Sequence, residues 1–221
     1  MTTFGTNDHE LRVAIIATAQ RMNAEGINRG TSGNVSARLN QDGLHGFLIT
    51  PTGMPYDAMT PNDIVAMTLD GEAHGARLPS SEWQFHRDLY RAREDLHAIV
   101  HVHSPFATTL ACMRRGIPAF HYMVAVAGGR DIRCAPYATF GSQTLAVHAV
   151  AAMADRRACL LANHGMIAAG IDLSAALALA VEVEGLAEMY WRALQLGEPV
   201  LLTDAEIQTV LDKFAKYGQP R

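Results

Sequence analysis

The 221-residue sequence has no basic run interleaved with aromatics, no charge-free stretch long enough to span a bilayer, and no CxxC pair. Each absence removes a class of function. With a net charge of -4 and arginines and lysines scattered, neither nucleic acid nor an anionic membrane surface is favoured as a partner. An anionic ligand would need a local pocket. The opening MTTFGTNDHE has no positively charged n-region and no apolar h-region, so a cytoplasmic protein without a membrane helix is expected. Cys112, Cys134 and Cys159 are odd in number and widely spaced, which argues against a disulfide framework and against a thiolate zinc knot; they read as packing residues. No GxxxxGK[ST] occurs and no GxGxxG follows a strand, so nucleotide-binding folds are not supported. No repeat, low-complexity tract or Pro/Ser-rich linker divides the chain, and residues 1–221 read as one domain.

What is present is an ordinary globular balance, 49% hydrophobic and 18% charged residues. A first helix is capped at Asn7 or Asp8, carries Leu11, Ile15, Ala19 and Met22 on one stripe, and ends near Gly26. NVSARL, GFLITP and DIVAMTL read as short strands, and a helix opens at Ser80 or Ser81 and runs to about Arg93. A strand with three histidines, HAIVHVHSP, follows it directly. Further helices are expected at about 105 to 115, 141 to 155 and 172 to 196, strands around PAFHYM, CLLANHG and MIAAG, and a last helix from Asp204 into KFAKYG. This mostly hairpin-like order predicts helices covering an antiparallel-rich sheet. LSAALALAVEVEGLAEMYW is a core helix rather than a membrane element, because Glu182, Glu184 and Glu188 interrupt it.

In HAIVHVHSP, His97, His101 and His103 share one strand face, with Ile99 between them, at a step of about 7 Å. A lone histidine is usually a surface or hydrogen-bonded structural residue, and His9, His45, His74, His121 and His148 are read so. His97, at the strand entrance, is read the same way. The HVH pair differs: two imidazoles one strand step apart can grip one metal ion with little backbone entropy left to lose. Spacing alone leaves metal binding and a structural pair both open. A catalytic zinc takes three or four protein ligands, so further donors must come from elsewhere. His164 in LLANHGMIA is one candidate, a buried imidazole in need of a partner. Glu82 in LPSSEWQFH is another, set in the first turn of its helix where the backbone dipole favours a carboxylate; a plain capping role remains open for it. His86 lies four residues on, on the same helical face. HExxH is not the pattern, and His86 reads as an orienting or packing residue.

A second feature is rich in glycine and hydroxyls: RGTSGNVS near residue 30, TPTGMP near 52, and PSS just before Glu82. Backbone N–H groups, serine hydroxyls and a helix N-terminus together form an anion cradle without lysine. Each segment alone is only a turn, but three of them feeding toward a helix with a candidate metal ligand describe a phosphorylated substrate chelated by a metal.

In chain order, GTSGNVSAR, ITPTGMPY, LPSSEWQFH, VHVHS, HYMVAVAGG, CAPYATFG, NHG and KFAKYG resemble the class II, zinc-dependent aldolase/epimerase family, on its fuculose-phosphate side. The resemblance covers nearly the whole chain. It implies a three-layer α/β/α fold with a mainly antiparallel central sheet, and a homotetramer with active sites at subunit interfaces. It also implies one Zn2+ per subunit on His101, His103 and His164, with Glu82 as the resting fourth ligand and catalytic acid/base. Thr31, Gly33, Asn34, Thr52, Gly53, Ser80 and Ser81 match the phosphate site, Thr31 and Gly33 by shaping the loop. Tyr122 and Tyr217 match two catalytic tyrosines brought from the neighbouring subunit.

The implied activity is that of an aldehyde-lyase in carbohydrate metabolism. It reversibly cleaves a ketose 1-phosphate, of L-fuculose, 5-deoxyribulose or 5-methylthioribulose type, to dihydroxyacetone phosphate and a small aldehyde. The donor half is read by metal and phosphate loops, whereas one methylene at the aldehyde end discriminates by only about 1–3 kcal/mol, so the sequence does not choose among these sugars. Epimerases, dehydratases and decarboxylases share the fold. The epimerases resemble SSD where this chain has SSEW, which tilts the reading to an aldolase. Non-catalytic interaction domains of the same fold lack the zinc histidines, and this chain keeps all three.

Overall fold

A computed structural model describes residues 6–41 and 44–217. The first five residues and Gly218 of KFAKYG lie outside them. The central strands carry little polar surface on either face, so they need cover on both sides. All five residues of β5 (Ala98–Val102) and all six of β8 (Gly165–Gly170) are buried. The sheet built around them also holds β1 (Asn34–Gln41), β2 (Leu44–Ile49), β3 (Val65–Thr68), β4 (Ala73–His74), β6 (Arg133–Ala135) and β7 (Ala158–Leu161). Its order is β4-β3-β2-β1-β5-β8-β7-β6, and every neighbouring pair is antiparallel except β6 with β7.

Strand alternation sorts the core into two layers. Val35, Leu48, Val100, Val102, Leu160 and Met166 face α1 (Thr6–Ala24), α3 (Pro105–Cys112) and α5 (Leu173–Leu196). Phe47, Ile49, Ile99, Cys159, Leu161 and Ile167 face α2 (Trp83–Ala92) and α4 (Gln143–Ala152). Helices on both faces of a mainly antiparallel sheet make the expected α/β/α arrangement. A last helix, α6 (Asp204–Phe214), starts from a Thr203/Glu206 capping box.

Several local expectations change. Asn7 and Asp8 do not precede the helix: α1 begins at Thr6, and Asp8 lies in its first turn, buried and accepting from Arg12 Nε at 3.1 Å. The helix expected from Ser80 or Ser81 starts at Trp83, because Glu82 stands at the N-cap with non-helical φ -103 and ψ 14. PAFHYM is not a strand. Pro118 accepts from Phe120 N in a tight turn, and Tyr122–Ala127 winds into a 3₁₀ helix. The nearby sheet edge is instead supplied by β6, which PAFHYM precedes. Cys159 is packed as expected, but Cys112 is exposed at the end of α3.

One cross-layer contact sets the corner after the histidine strand. Ser104, the N-cap of α3, makes no side-chain cap of its own, and Pro105 needs none. Glu184, midway along α5, accepts from Ser104 Oγ at 2.7 Å, Phe106 N at 2.8 Å and Ala107 N at 2.9 Å. A carboxylate from another helix thus performs the cap. Glu184→Ala leaves those donors unmet and should cost about 1–3 kcal/mol in urea unfolding. Glu184→Gln, which keeps one acceptor oxygen, should lose less; equal stability of the alanine variant and wild type would show that the cap contributes nothing.

Candidate metal centre and active-site cleft

The fold converges four separated residues on one point. His101 follows Ile99 on the sheet face that α2 covers, and Glu82 heads α2 at its sheet-proximal end. His103 lies one step past the end of β5. His164 sits in the tight connection between β7 and β8, next to Asn163, whose φ of 55 is left-handed. Asparagine tolerates that conformation better than most residues. Gly165 is required for the approach: a Cβ there would stand 2.6 Å from Val102 O and 2.7 Å from the His103 ring.

The donor atoms of Glu82, His101, His103 and His164 lie within 4.8 Å of one another. His101 Nε2 is 3.0 Å from His103 Nε2 and 3.0 Å from Glu82 Oε2, and His164 Nε2 is 3.2 Å from Glu82 Oε1. His101 Nδ1 donates to the Met166 carbonyl at 2.8 Å, so its Nε2 carries a lone pair aimed into the cluster when the ring is neutral. Burial pushes the Glu82 carboxyl up, but the flanking His101 and His164 outweigh it and hold it well below the usual carboxylate range. Burial, helped by the neighbouring imidazoles, lowers His103 to about 4. Glu82 Oε1 is buried without a hydrogen bond. A buried carboxylate with an unmet oxygen, beside three clustered imidazoles, fits a divalent metal ion as the missing partner.

Above the cluster opens a cleft of about 390 Å³. Thr31, Thr52, Gly53 and Ser81 line it together with Glu82, His103 and His164, so the three glycine and hydroxyl segments do meet at the glutamate and histidine cluster. Gly53 has φ 65, which turns its loop toward the cleft. Gly33 and Ser80 stand behind this lining. A Cβ at Gly33 would stand 2.6 Å from His101 O, and Ser80 Oγ accepts from Glu82 N at 3.3 Å. Asn34, paired across β1 and β5 with His101, is buried and donates through Nδ2 to Glu82 Oε2 at 3.1 Å.

Sequence reasoning singled out no role for Ser32, Tyr137, Ala138, Phe140 or Asn163, all of which line the cleft. Loop aromatics carry no periodic signal. Only the fold sets them apart, leaving Tyr137 52% and Phe140 66% exposed at the cleft. Tyr122 and Tyr217 do not line this cleft; both are exposed, on either side of the Phe214 ring at centroid distances of 6.4 Å. The chain's lysines, Lys213 and Lys216, lie at the end of α6 and just beyond it, and none lines the cleft. No lysine of the same chain is therefore placed to form an imine in the cleft.

Comparison with known proteins agrees with this geometry. Residues 13–191 match the model of the class II aldolase and adducin N-terminal domain. The chain is 55% identical over 208 residues to a 5-methylthioribulose-1-phosphate/5-deoxyribulose-1-phosphate aldolase of Rhodospirillum rubrum, covering 94% of this chain and 92% of the relative. It is 47% identical over 211 residues to the L-fuculose phosphate aldolase of Escherichia coli strain K12, covering 95% and 96%. Among solved structures, an L-fuculose 1-phosphate aldolase superposes with a TM-score of 0.89 at 42% identity, over 93% of this chain and 96% of that one. The three histidines and the glutamate thus stand in a chain that belongs to the class II aldolase and adducin N-terminal domain family.

Proposed function

We propose that this protein is a zinc-dependent aldolase that reversibly cleaves a ketose 1-phosphate to dihydroxyacetone phosphate and a small aldehyde. The observation that carries the reading is the Glu82/His101/His103/His164 cluster at the base of a lysine-free cleft rimmed by glycine and hydroxyl loops. The named relatives act on 5-methylthioribulose, 5-deoxyribulose and L-fuculose phosphates, and one of these is the proposed substrate class. All three share the phosphorylated donor half and differ at the aldehyde end. Tyr137, Ala138 and Phe140 give the cleft mouth an apolar wall suited to a short, uncharged aldehyde. Retention of all three histidines opposes a non-catalytic interaction module. Glu82, in SSEW, favours the aldolase over the epimerase reading.

His101, His103 and His164 would hold a zinc ion, which when bound would supply Lewis acidity to the substrate. Glu82 then moves the proton at the donor carbon, a role suited to a carboxylate kept ionised and close to the reacting atoms. Thr31, Thr52, Gly53 and Ser81, with Gly33, Asn34 and Ser80 behind them, hold the phosphate and orient the sugar. Tyr122 and Tyr217 exchange a proton with the aldehyde oxygen and order the far end of the substrate. Since neither lines the cleft of its own chain, they are assigned to the cleft of a neighbouring subunit in a homotetramer. No helix among the described residues is long and apolar enough to cross a membrane, and the proposed location is the cytoplasm.

Four outcomes test this. His103→Ala should lose most bound zinc and activity together, read by metal analysis and dihydroxyacetone phosphate release from a panel of ketose 1-phosphates. Full zinc occupancy in that variant would remove the site. Glu82→Gln should keep zinc on the histidines yet lose solvent-deuterium exchange into dihydroxyacetone phosphate; an unchanged exchange rate sinks its acid/base role.

For the anion cradle, Ser81→Ala removes one hydroxyl and should cost about 1 kcal/mol in binding, roughly a fivefold rise in KM. The preference for phosphorylated over free sugar should narrow with it. An untouched preference puts the phosphate elsewhere.

For the shared site, Glu82→Gln and Tyr122→Phe subunits are mixed under exchange. With random mixing in a cyclic oligomer, about a quarter of sites pair an intact Glu82 with an intact Tyr122, and activity should recover to roughly that fraction. Activity that stays at the average of the parents, with exchange verified by mass, contradicts a site shared between chains.

A further inference from the structure

Behind Glu82 a line of buried polar side chains runs between α2 and β1. Glu82, His86 and Tyr90 stand four residues apart on one face of α2, and Asn34 and Ser36 stand two apart on the facing side of β1. The helix step is about 6 Å and the strand step about 6.7 Å, so the two rows interdigitate. Asn34 Oδ1 is 2.5 Å from His86 Nε2, His86 Nδ1 is 2.7 Å from Ser36 Oγ, and Ser36 Oγ is 2.8 Å from Tyr90 OH. His86 and Ser36 are completely buried and Tyr90 nearly so.

The Asn34 amide sets the direction of every bond. Its NH2, which only donates, faces Glu82 Oε2 at 3.1 Å. The Asn34 oxygen then faces His86, which must donate from Nε2. A neutral His86 has its lone pair on Nδ1, so Ser36 must donate there, and Tyr90 must donate to Ser36. With His86 neutral, one polarity satisfies each link among these five residues. Reversing the His86 tautomer would turn a lone pair toward the Asn34 oxygen and release the amide to rotate, placing its carbonyl against the Glu82 carboxylate.

We propose that His86, held in its Nε2–H tautomer by Ser36, is a positioning residue that acts through Asn34 to fix the Glu82 carboxylate. The inference rests on the aldolase reading for its activity assay, but not for its tautomer test. It gives Asn34 a second task beside the phosphate loop and explains a buried histidine that ligates nothing.

Ser36→Ala tests it without touching Glu82, Asn34 or a histidine of the cluster. Its kcat per bound zinc should fall about tenfold, the range found when groups supporting metal-site ligands are removed. Deuterium exchange into dihydroxyacetone phosphate should fall in parallel while KM and zinc content hold. Wild-type kcat per bound zinc in this variant overturns the proposal, whether or not its stability has dropped. If Ser36→Ala does not fold, imidazole 15N shifts of the wild-type protein decide: the proton of His86 on Nε2 supports the relay, and a proton on Nδ1 overturns it. A wild-type protein that cleaves no ketose 1-phosphate defeats the aldolase reading instead, and the tautomer measurement still stands for the relay.

Discussion

Glu82 and His101 are buried, and His103 and His164 partly so, at the point where the ends of β5, β8 and α2 meet. Singly, a carboxylate or an imidazole in such a place would be expensive to desolvate. Together they form one donor set in which each group compensates another, and the surrounding fold serves to bring them there. Gly165 lets β8 pass against Val102 and His103, the Met166 carbonyl orients His101, and Glu184 holds the turn that follows His103. Removing any of these supports would act on the cluster through geometry rather than through charge.

The pairing of α2 with β1 extends that constraint away from the cleft. A helix advancing four residues and a strand advancing two cover nearly the same distance, so polar side chains from the two elements can alternate in a single row. Glu82, Asn34, His86, Ser36 and Tyr90 form such a row. Burial lowers His86 to about 3, with the neighbouring His101 adding to the effect and Glu82 opposing it, so the ring stays neutral and keeps a defined tautomer. Neutrality is what lets a buried histidine carry directional information instead of a charge.

The cleft itself is built from weak features. Loops with glycines and hydroxyls offer N–H and O–H donors but no cation, so an anionic substrate would depend on many small contacts and on the metal for charge compensation. The open, aromatic rim is the complementary feature: Tyr137 and Phe140 are left exposed by the single chain, and Tyr122 stands clear of the cleft on an element packed beside α6. A second subunit set against that rim would both cover apolar surface and complete the ring of functional groups.

The periodic elements were legible in the residues themselves. The stripe of α1, the alternation around His101 and His103, the buried run of β8 and the Glu-interrupted α5 follow from repeats of 3.6 and 2.0 residues, which are local. The order of short motifs from GTSGNVSAR to KFAKYG carries the family resemblance. Where local signals compete, the reading failed: PAFHYM has strand-like composition, yet Pro118 and the following turn divert it into a 3₁₀ helix, and Ser80 begins a turn rather than α2. Sequence alone therefore determined the layers, the candidate ligands and the glycine and hydroxyl loops. Tertiary structure decided which atoms meet: that Asn34 turns its amide nitrogen to Glu82 and its oxygen to His86, and that Tyr122 and Tyr217 lie outside their own cleft. Those facts depend on strand register, on the crossing of α2 over β1 and on the path of α6, all of them relations between residues far apart in the chain that no local pattern encodes.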